Sequence, residues 1–220
     1  MSVLKSINPA TEKLFAEFKE VDLSSVEEII SKSSVSQKEW SQVDIKVRSM
    51  IIFNISTLIT KNKESYARII TSEMGKPISE AIGEVEKCVW LCEYYAENAS
   101  KFLGDQYIDS DAKSSFVSFE PLGVILGVMP WNFPFWQVFR FAVPALLAGN
   151  SVLLKHASNV QASALAIEKI FHESDVPNDA FRTLIVGSKM VSDIISNKQV
   201  RAVSLTGSEH AGSKVGECSG

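Results

Sequence analysis

Gly123-Val124-Ile125-Leu126-Gly127-Val128-Met129-Pro130-Trp131-Asn132-Phe133-Pro134 is the stretch that decides how this chain folds. From Gly123 to Met129 the run is apolar without alternation, the pattern of a strand covered on both faces. Two prolines then enclose two aromatics and an amide, and a helical pattern runs from Phe135 to Ala148. The alternation continues downstream. Ser151 to Lys155 reads as a strand, Val160 to Glu173 as an amphipathic helix, and Arg182 to Val186 as a strand. A helix over Lys189 to Ser196, a strand over Arg201 to Leu205 and a helix opening at Ser208 follow. Strand and helix taking turns across short connections predict a parallel sheet with right-handed crossovers.

Upstream the pattern is different. The segment from Ile7-Asn8-Pro9-Ala10-Thr11 to Val21 holds a turn signal and alternating residues (Leu14, Ala16, Phe18), which read as short strands or a hairpin. Ser24 and Ser25, with Glu27 and Glu28 behind them, suit a helix start. Helical periodicity then extends, with breaks, from Val26 to about Leu103. The clearest break is Gly75-Lys76-Pro77, where glycine ends one helix and proline bars its continuation. Ser115 to Glu120 reads as a further strand. The expected fold class is α/β, with residues 1–121 forming a helical block with short strands. Residues 122–220 form an incomplete doubly wound, Rossmann-like parallel sheet.

Composition narrows the function classes. The chain has 220 residues, 45% hydrophobic and 22% charged, and its 22 basic and 26 acidic residues give a formal charge of −4. No basic stripe is present, which disfavours nucleic acid as a partner. The most apolar stretch, Phe133 to Leu147, is interrupted by Pro134, Arg140 and Pro144, which argues against a membrane span. The opening Met1-Ser2-Val3-Leu4-Lys5 lacks a secretory h-region, and three cysteines form no disulfide-like framework, so a cytoplasmic setting is expected. Cys88 and Cys92 share a helix face with no further ligand nearby. They read as core residues rather than a metal or redox pair. Cys218 reads as structural, since a thiol beside only His210 is a weak nucleophile candidate.

Two segments carry chemistry. In Thr206-Gly207-Ser208, followed by Gly212, a strand ends, glycine permits a tight turn, and a helix start presents free amides that could receive a pyrophosphate. An ordinary capped helix fits the same residues. This segment is not the G-x-G-x-x-G fingerprint that a standard dinucleotide fold shows after its first strand; the first strand here is read as ending in Lys155-His156-Ala157-Ser158. The second segment, Pro130 to Pro134, leaves the C-terminal end of a strand, where α/β folds place their sites. There Asn132 could donate to a developing oxyanion, or its amide could simply serve the backbone of a packed turn.

Taken together, Met74-Gly75-Lys76-Pro77, Trp131-Asn132-Phe133-Pro134, Pro144-Ala145-Leu146 with Gly149-Asn150, Lys155, and Thr206-Gly207-Ser208 resemble the successive motifs of the aldehyde dehydrogenase superfamily. The resemblance covers nearly the whole chain and looks closest to the succinate-semialdehyde dehydrogenases. It implies an oxidoreductase that binds NADP or NAD and takes a small aldehyde to its acid. By that resemblance Asn132 is half of an oxyanion hole and Lys155 contacts the adenosine ribose. Ser208 and Trp131 contact the cofactor phosphates, Gly207 lets the backbone approach them, and Phe133 lines the substrate tunnel. NAD-preferring members usually carry a glutamate three residues after the lysine. Ser158 stands there, which removes repulsion against a 2′-phosphate and favours NADP. Arg140 sits where related semialdehyde dehydrogenases carry an arginine, and could pair with a substrate carboxylate; a packing or surface role is the alternative.

The family's Glu-Leu-Gly-Gly motif and its nucleophilic cysteine are not found in these 220 residues. Glu217 is not followed by Leu-Gly-Gly, and Cys218 lacks the catalytic surroundings. The expectation is therefore an N-terminal fragment, inactive by itself, from a family whose intact members form homo-oligomers. The rival readings are a stand-alone nucleotide-binding module and a module that docks onto full-length relatives. The presence of Asn132 and Phe133, which serve aldehyde rather than cofactor, weighs against the first.

Overall fold

The run beginning at Val124 becomes a central strand of a parallel sheet in the computed structural model, which describes residues 2–220. Before it come an antiparallel hairpin, β1 (Val3–Ile7) and β2 (Leu14–Lys19), and three helices: α1 (Leu23–Ser41), α2 (Ile45–Met74) and α3 (Ile78–Phe102). Two short antiparallel strands, β3 (Gln106–Tyr107) and β4 (Phe116–Val117), lead into the α/β portion. That portion runs β5 (Val124–Met129), α4 (Trp136–Leu147), β6 (Ser151–His156), α5 (Gln161–Glu173), β7 (Phe181–Thr183), a 3-10 turn (Ser188–Met190), α6 (Val191–Ser196), β8 (Val200–Leu205) and α7 (Glu209–Ser219). The four strands order as β7-β6-β5-β8, all parallel.

Three boundaries differ from expectation, each for a local reason. α1 begins at Leu23 because Asp22, rather than Ser24 or Ser25, is its N-cap, accepting from the Ser25 amide at 2.8 Å. The expected strand over Ser115 to Glu120 shrinks to Phe116–Val117, because its partner β3 offers only Gln106 and Tyr107 for pairing. β7 stops at Thr183 because the chain then turns to another partner: the Ile185 carbonyl accepts from the Val21 amide at 3.0 Å. The break at Gly75 is as expected. Gly75 is left-handed (φ 79°) at the end of α2, and a side chain there would also meet the Pro9 ring at 2.8 Å.

Strand alternation divides the core between the two sheet faces. Val152 and Leu154 of β6 pack with α2 to α5, and Leu153 packs with Val124, Leu126 and Val26 and Ile30 of α1. Gly127 faces the first of these layers so closely that a Cβ there would lie 2.4 Å from the Phe141 ring. This approach brings α4 down onto β5. The helical block shares the same core. The Trp40 indole donates to the Leu146 carbonyl at 2.8 Å, and Arg48 Nε donates to the Leu147 carbonyl at 3.0 Å, tying α1 and α2 to the end of α4. Glu73 of α2 accepts from the amides of Ala162 and Ser163, each at 2.7 Å, and so caps α5 from a distance.

Candidate active site

Strand order dictates where a ligand would sit. The chain steps outward from β5 through β6 to β7, then returns to place β8 on the other side of β5. The connections leaving β5 and β8 therefore part in opposite directions and open a crevice at the C-terminal ends of these strands. The loop after β5 carries Trp131, Asn132 and Phe133; the loop after β8 carries Thr206, Gly207 and Ser208. Register brings the two together, since Val128 pairs with Leu205 and the Thr206 amide donates to the Val128 carbonyl at 3.1 Å.

Asn132 is exposed, and among the described residues its side chain has no hydrogen-bond partner. The alternative of an amide spent on its own turn therefore does not hold here. Trp131 and Phe133 are exposed beside it, at 51% and 45%. Their neighbours are held tightly. Pro134 and Phe135 are buried, the Pro134 carbonyl meets His156 Nε2 at 2.9 Å, and Glu84 Oε1 accepts from the amides of Phe135 (2.8 Å) and Trp136 (3.0 Å). The other Glu84 oxygen pairs with Lys76, whose ammonium lies 3.7 Å from the centre of the Phe133 ring.

On the β8 side, Ser208 is the N-cap of α7, its hydroxyl accepting from the Ala211 amide at 3.2 Å. Capping and ligand contact are both open to it. Gly207 differs from the packing glycines: a Cβ there would meet only the Ala211 methyl, at an ordinary 3.5 Å. Nothing inside the chain demands glycine at that position, and its bare backbone leaves room for an approaching group.

Between the ends of β5, β6 and β8 and the helices α6 and α7 lies a cleft of about 380 Å³ lined by Val128, Lys155, Lys189, Val191, Leu205, His210, Ala211 and Lys214, among others. Lys155, the penultimate residue of β6, pairs opposite Val128 and is only 8% exposed. Burial pushes its ammonium below the ordinary lysine range, against a weaker pull from Glu20. Among the described residues it forms no ion pair. Ser158 stands exposed in the turn after β6 and does not line this cleft. Arg140 points from α4 toward the β8 loop, where its Nη2 donates to Thr206 Oγ1 at 3.1 Å. Cys88 and Cys92 stay apart from this cleft, whereas Cys218 is among the residues that line it. Cys88 and Cys92 are fully buried, and burial pushes both thiols up; Cys218, half-buried in α7, has its Sγ 3.4 Å from Ser192 Oγ.

Sequence reasoning missed Glu84 and Lys189, and quoted Lys76 and His156 without giving them roles. A signal existed for His156. It follows a lysine at the end of an otherwise apolar strand, so the two polar side chains must leave opposite faces of the sheet. For Glu84 no short-range pattern distinguishes it from the other acids of α3.

Residues 2–220 match the model of the aldehyde dehydrogenase family. A probable succinate-semialdehyde dehydrogenase [NADP(+)] of Synechocystis is 43% identical over 212 residues, which is 95% of this chain and 46% of that protein. Among solved structures, Gox0499 superposes with a TM-score of 0.97 at 32% identity over 100% of this chain and 48% of its own. The succinic semialdehyde dehydrogenase of Streptococcus pyogenes, solved with NADP+, gives 0.95 at 30% identity over 98% and 48%. The chain spans about half the length of the curated relatives it matches. A model match across nearly every residue, with the loops after β5 and β8 meeting at one crevice, leaves one assignment: the chain belongs to the aldehyde dehydrogenase family.

Proposed function

We propose that this chain is the cofactor- and oxyanion-binding part of an NADP-preferring aldehyde dehydrogenase that oxidises succinate semialdehyde. The observation that carries the reading is what converges at the crevice between β5 and β8. Lys155, a buried ammonium without a carboxylate partner, lines the cleft there, and the loops at the ends of β5 and β8 bring a free amide (Asn132) and a glycine whose missing side chain leaves space (Gly207). A buried cation with no protein anion is costly by itself, and an anionic ligand would offset that cost. The residues therefore fit a phosphorylated dinucleotide. Lys155 and Ser158 would hold its adenosine ribose and 2′-phosphate, and Ser208 and Trp131 its pyrophosphate, with the backbone at Gly207 close by. When bound, it supplies the hydride acceptor. Asn132 would donate to the aldehyde oxygen as negative charge builds there. Phe133 would wall the substrate tunnel. Arg140, with guanidinium donors to spare beyond the one given to Thr206, would pair with the distal carboxylate of the substrate. The names of the relatives in Synechocystis and Streptococcus support both the cofactor and the aldehyde.

These 220 residues by themselves are proposed to turn over no aldehyde. Two of the thiols are buried and held neutral, and the third, in α7, has Ser192 as its hydrogen-bond partner rather than a general base. We also infer a homo-oligomer for the intact enzyme, which suits the exposed aromatics Trp90, Tyr94 and Tyr107. The cofactor reading is tested by titrating NADP+ and NAD+ into the wild-type chain and Ser158→Glu. NADP+ should bind more tightly to the wild type, and the glutamate should reverse the order. Tighter NAD+ binding by the wild type would refute it.

A further inference from the structure

The loop that presents Asn132 is held from two directions by side chains that themselves lie outside the crevice. From α3, Glu84 spends one carboxylate oxygen on the amides of Phe135, the N-cap of α4, and Trp136, its first residue. Its other oxygen pairs with Lys76, and Lys76 in turn lies against the Phe133 ring. Both members of this ion pair are almost entirely buried. From β6, His156 is fully buried with both ring nitrogens engaged: Nδ1 accepts from the Ala157 amide and Nε2 meets the Pro134 carbonyl, each at 2.9 Å. Because Nδ1 accepts, the proton sits on Nε2, and that nitrogen donates to Pro134. Phe133, Pro134, Phe135 and Trp136 are thus each fastened by one of three residues, while the Asn132 side chain is left without a hydrogen-bond partner among the described residues.

We infer that Glu84, Lys76 and His156 are positioning residues that lock the 131–136 loop so that the Asn132 amide is presented rigid and unspent. This rests on the reading of Asn132 as an oxyanion donor. A donor aimed at a developing charge is effective only if it need not reorganise, and only if no internal acceptor competes for it. A buried ion pair is a poor device for stability alone, since apolar residues of like volume would serve as well. Here it does something apolar residues could not. It delivers a carboxylate to two backbone amides and a cation to one aromatic face.

The test is backbone and side-chain amide NMR on the 220-residue chain carrying His156→Leu, His156→Gln, Glu84→Ala, or Lys76→Met with Glu84→Met. Leucine at 156 should drop the order parameters of residues 131–133 from about 0.85 to below about 0.6, while β5 and β6 stay rigid. Glutamine, which can return a donor to the Pro134 carbonyl, should restore them. Glu84→Ala should speed exchange of the Phe135 and Trp136 amides by about tenfold or more. If it does not fold, the double methionine variant, which leaves no charge buried alone, replaces it. Unchanged loop order in both His156→Leu and the Glu84 variant overturns the inference, as does loss of order in β5 and β6 in step with the loop. In the intact enzyme, His156→Leu should lower kcat at unchanged cofactor KM, and His156→Gln should recover it. The NMR arm uses neither cofactor nor aldehyde, so its failure leaves the dehydrogenase reading standing. An ordered loop in an enzyme indifferent to Asn132→Ala would instead count against that reading.

Discussion

In the proposed reading Asn132 is the residue on which the chemistry turns, and its environment sets the size of its effect. A preorganised donor removed from an oxyanion site costs about 10²–10³ in kcat. Asn132→Ala in the intact enzyme should fall in that range with KM for the cofactor unchanged, read by steady-state kinetics. A change in KM alone would place the residue in ground-state binding. Arg140 separates substrates rather than steps: Arg140→Leu should impair succinate semialdehyde far more than an uncharged aldehyde, and equal losses would return it to a packing role. The thiols make a third residue-scale prediction. Brief alkylation of the native chain, read by mass spectrometry, should label Cys218 and spare Cys88 and Cys92 until the protein is unfolded. Single residues were legible in the sequence where a local pattern exposed them. The Thr206-Gly207-Ser208 turn follows an apolar strand and opens a helix, and it lands at the crevice. Glu84 was not legible, because its partners at Phe135 and Trp136 lie 51 and 52 residues away. Only the packing of α3 on α4 makes them neighbours.

Among the elements, β6 is the one whose two faces carry different work. Its penultimate residue, Lys155, faces the cleft, and its last, His156, faces the loop after β5. Burial pushes the His156 imidazole down to about 4, against the pull of the Pro134 and Met129 carbonyls as hydrogen-bond acceptors, with the Lys155 charge also disfavouring protonation. The unfolded imidazole titrates near 6.5. Below that value the unfolded chain takes up a proton that the native chain refuses. Stability should therefore fall as pH drops from about 6.5 toward 4 and then level off. The total contribution is on the order of 3 kcal/mol. Urea unfolding across this range should show the slope in the wild type and lose it in His156→Gln. An identical slope in both would mean that other groups carry it. Strand and helix identities along β5 to α7 were readable because apolar runs and 3.6-residue periods alternate cleanly there. The boundaries that moved did so through long-range bonds: Val21 takes the Ile185 carbonyl, and Asp22 starts α1 early. The segment near β3 and β4 was over-read as a strand, since propensity cannot supply a missing pairing partner.

As a whole, the molecule is a sheet with helices on both faces, backed by a helical block that reaches across the core to fix the end of α4 and the start of α5. No helix among the described residues is long and apolar enough to cross a membrane. The crevice lies where topology requires it, and the two loops that meet there come from positions 75 residues apart in the chain, Trp131 and Thr206. In the proposed reading cofactor preference belongs to this scale, because Lys155 of β6, Ser158 of the turn after it and the β8 loop would have to act together on one ligand. The central claim is that this crevice is a dinucleotide site with a place for a 2′-phosphate. Its most direct test is titration of NADP+ into the ¹⁵N-labelled chain, following the amides of Trp131, Lys155, Gly207 and Ser208. The account predicts saturable one-site shifts at these amides, larger with NADP+ than with NAD+ at equal concentration, and abolished by Lys155→Met. No saturable shift at these positions, or shifts indifferent to Lys155→Met, would contradict it.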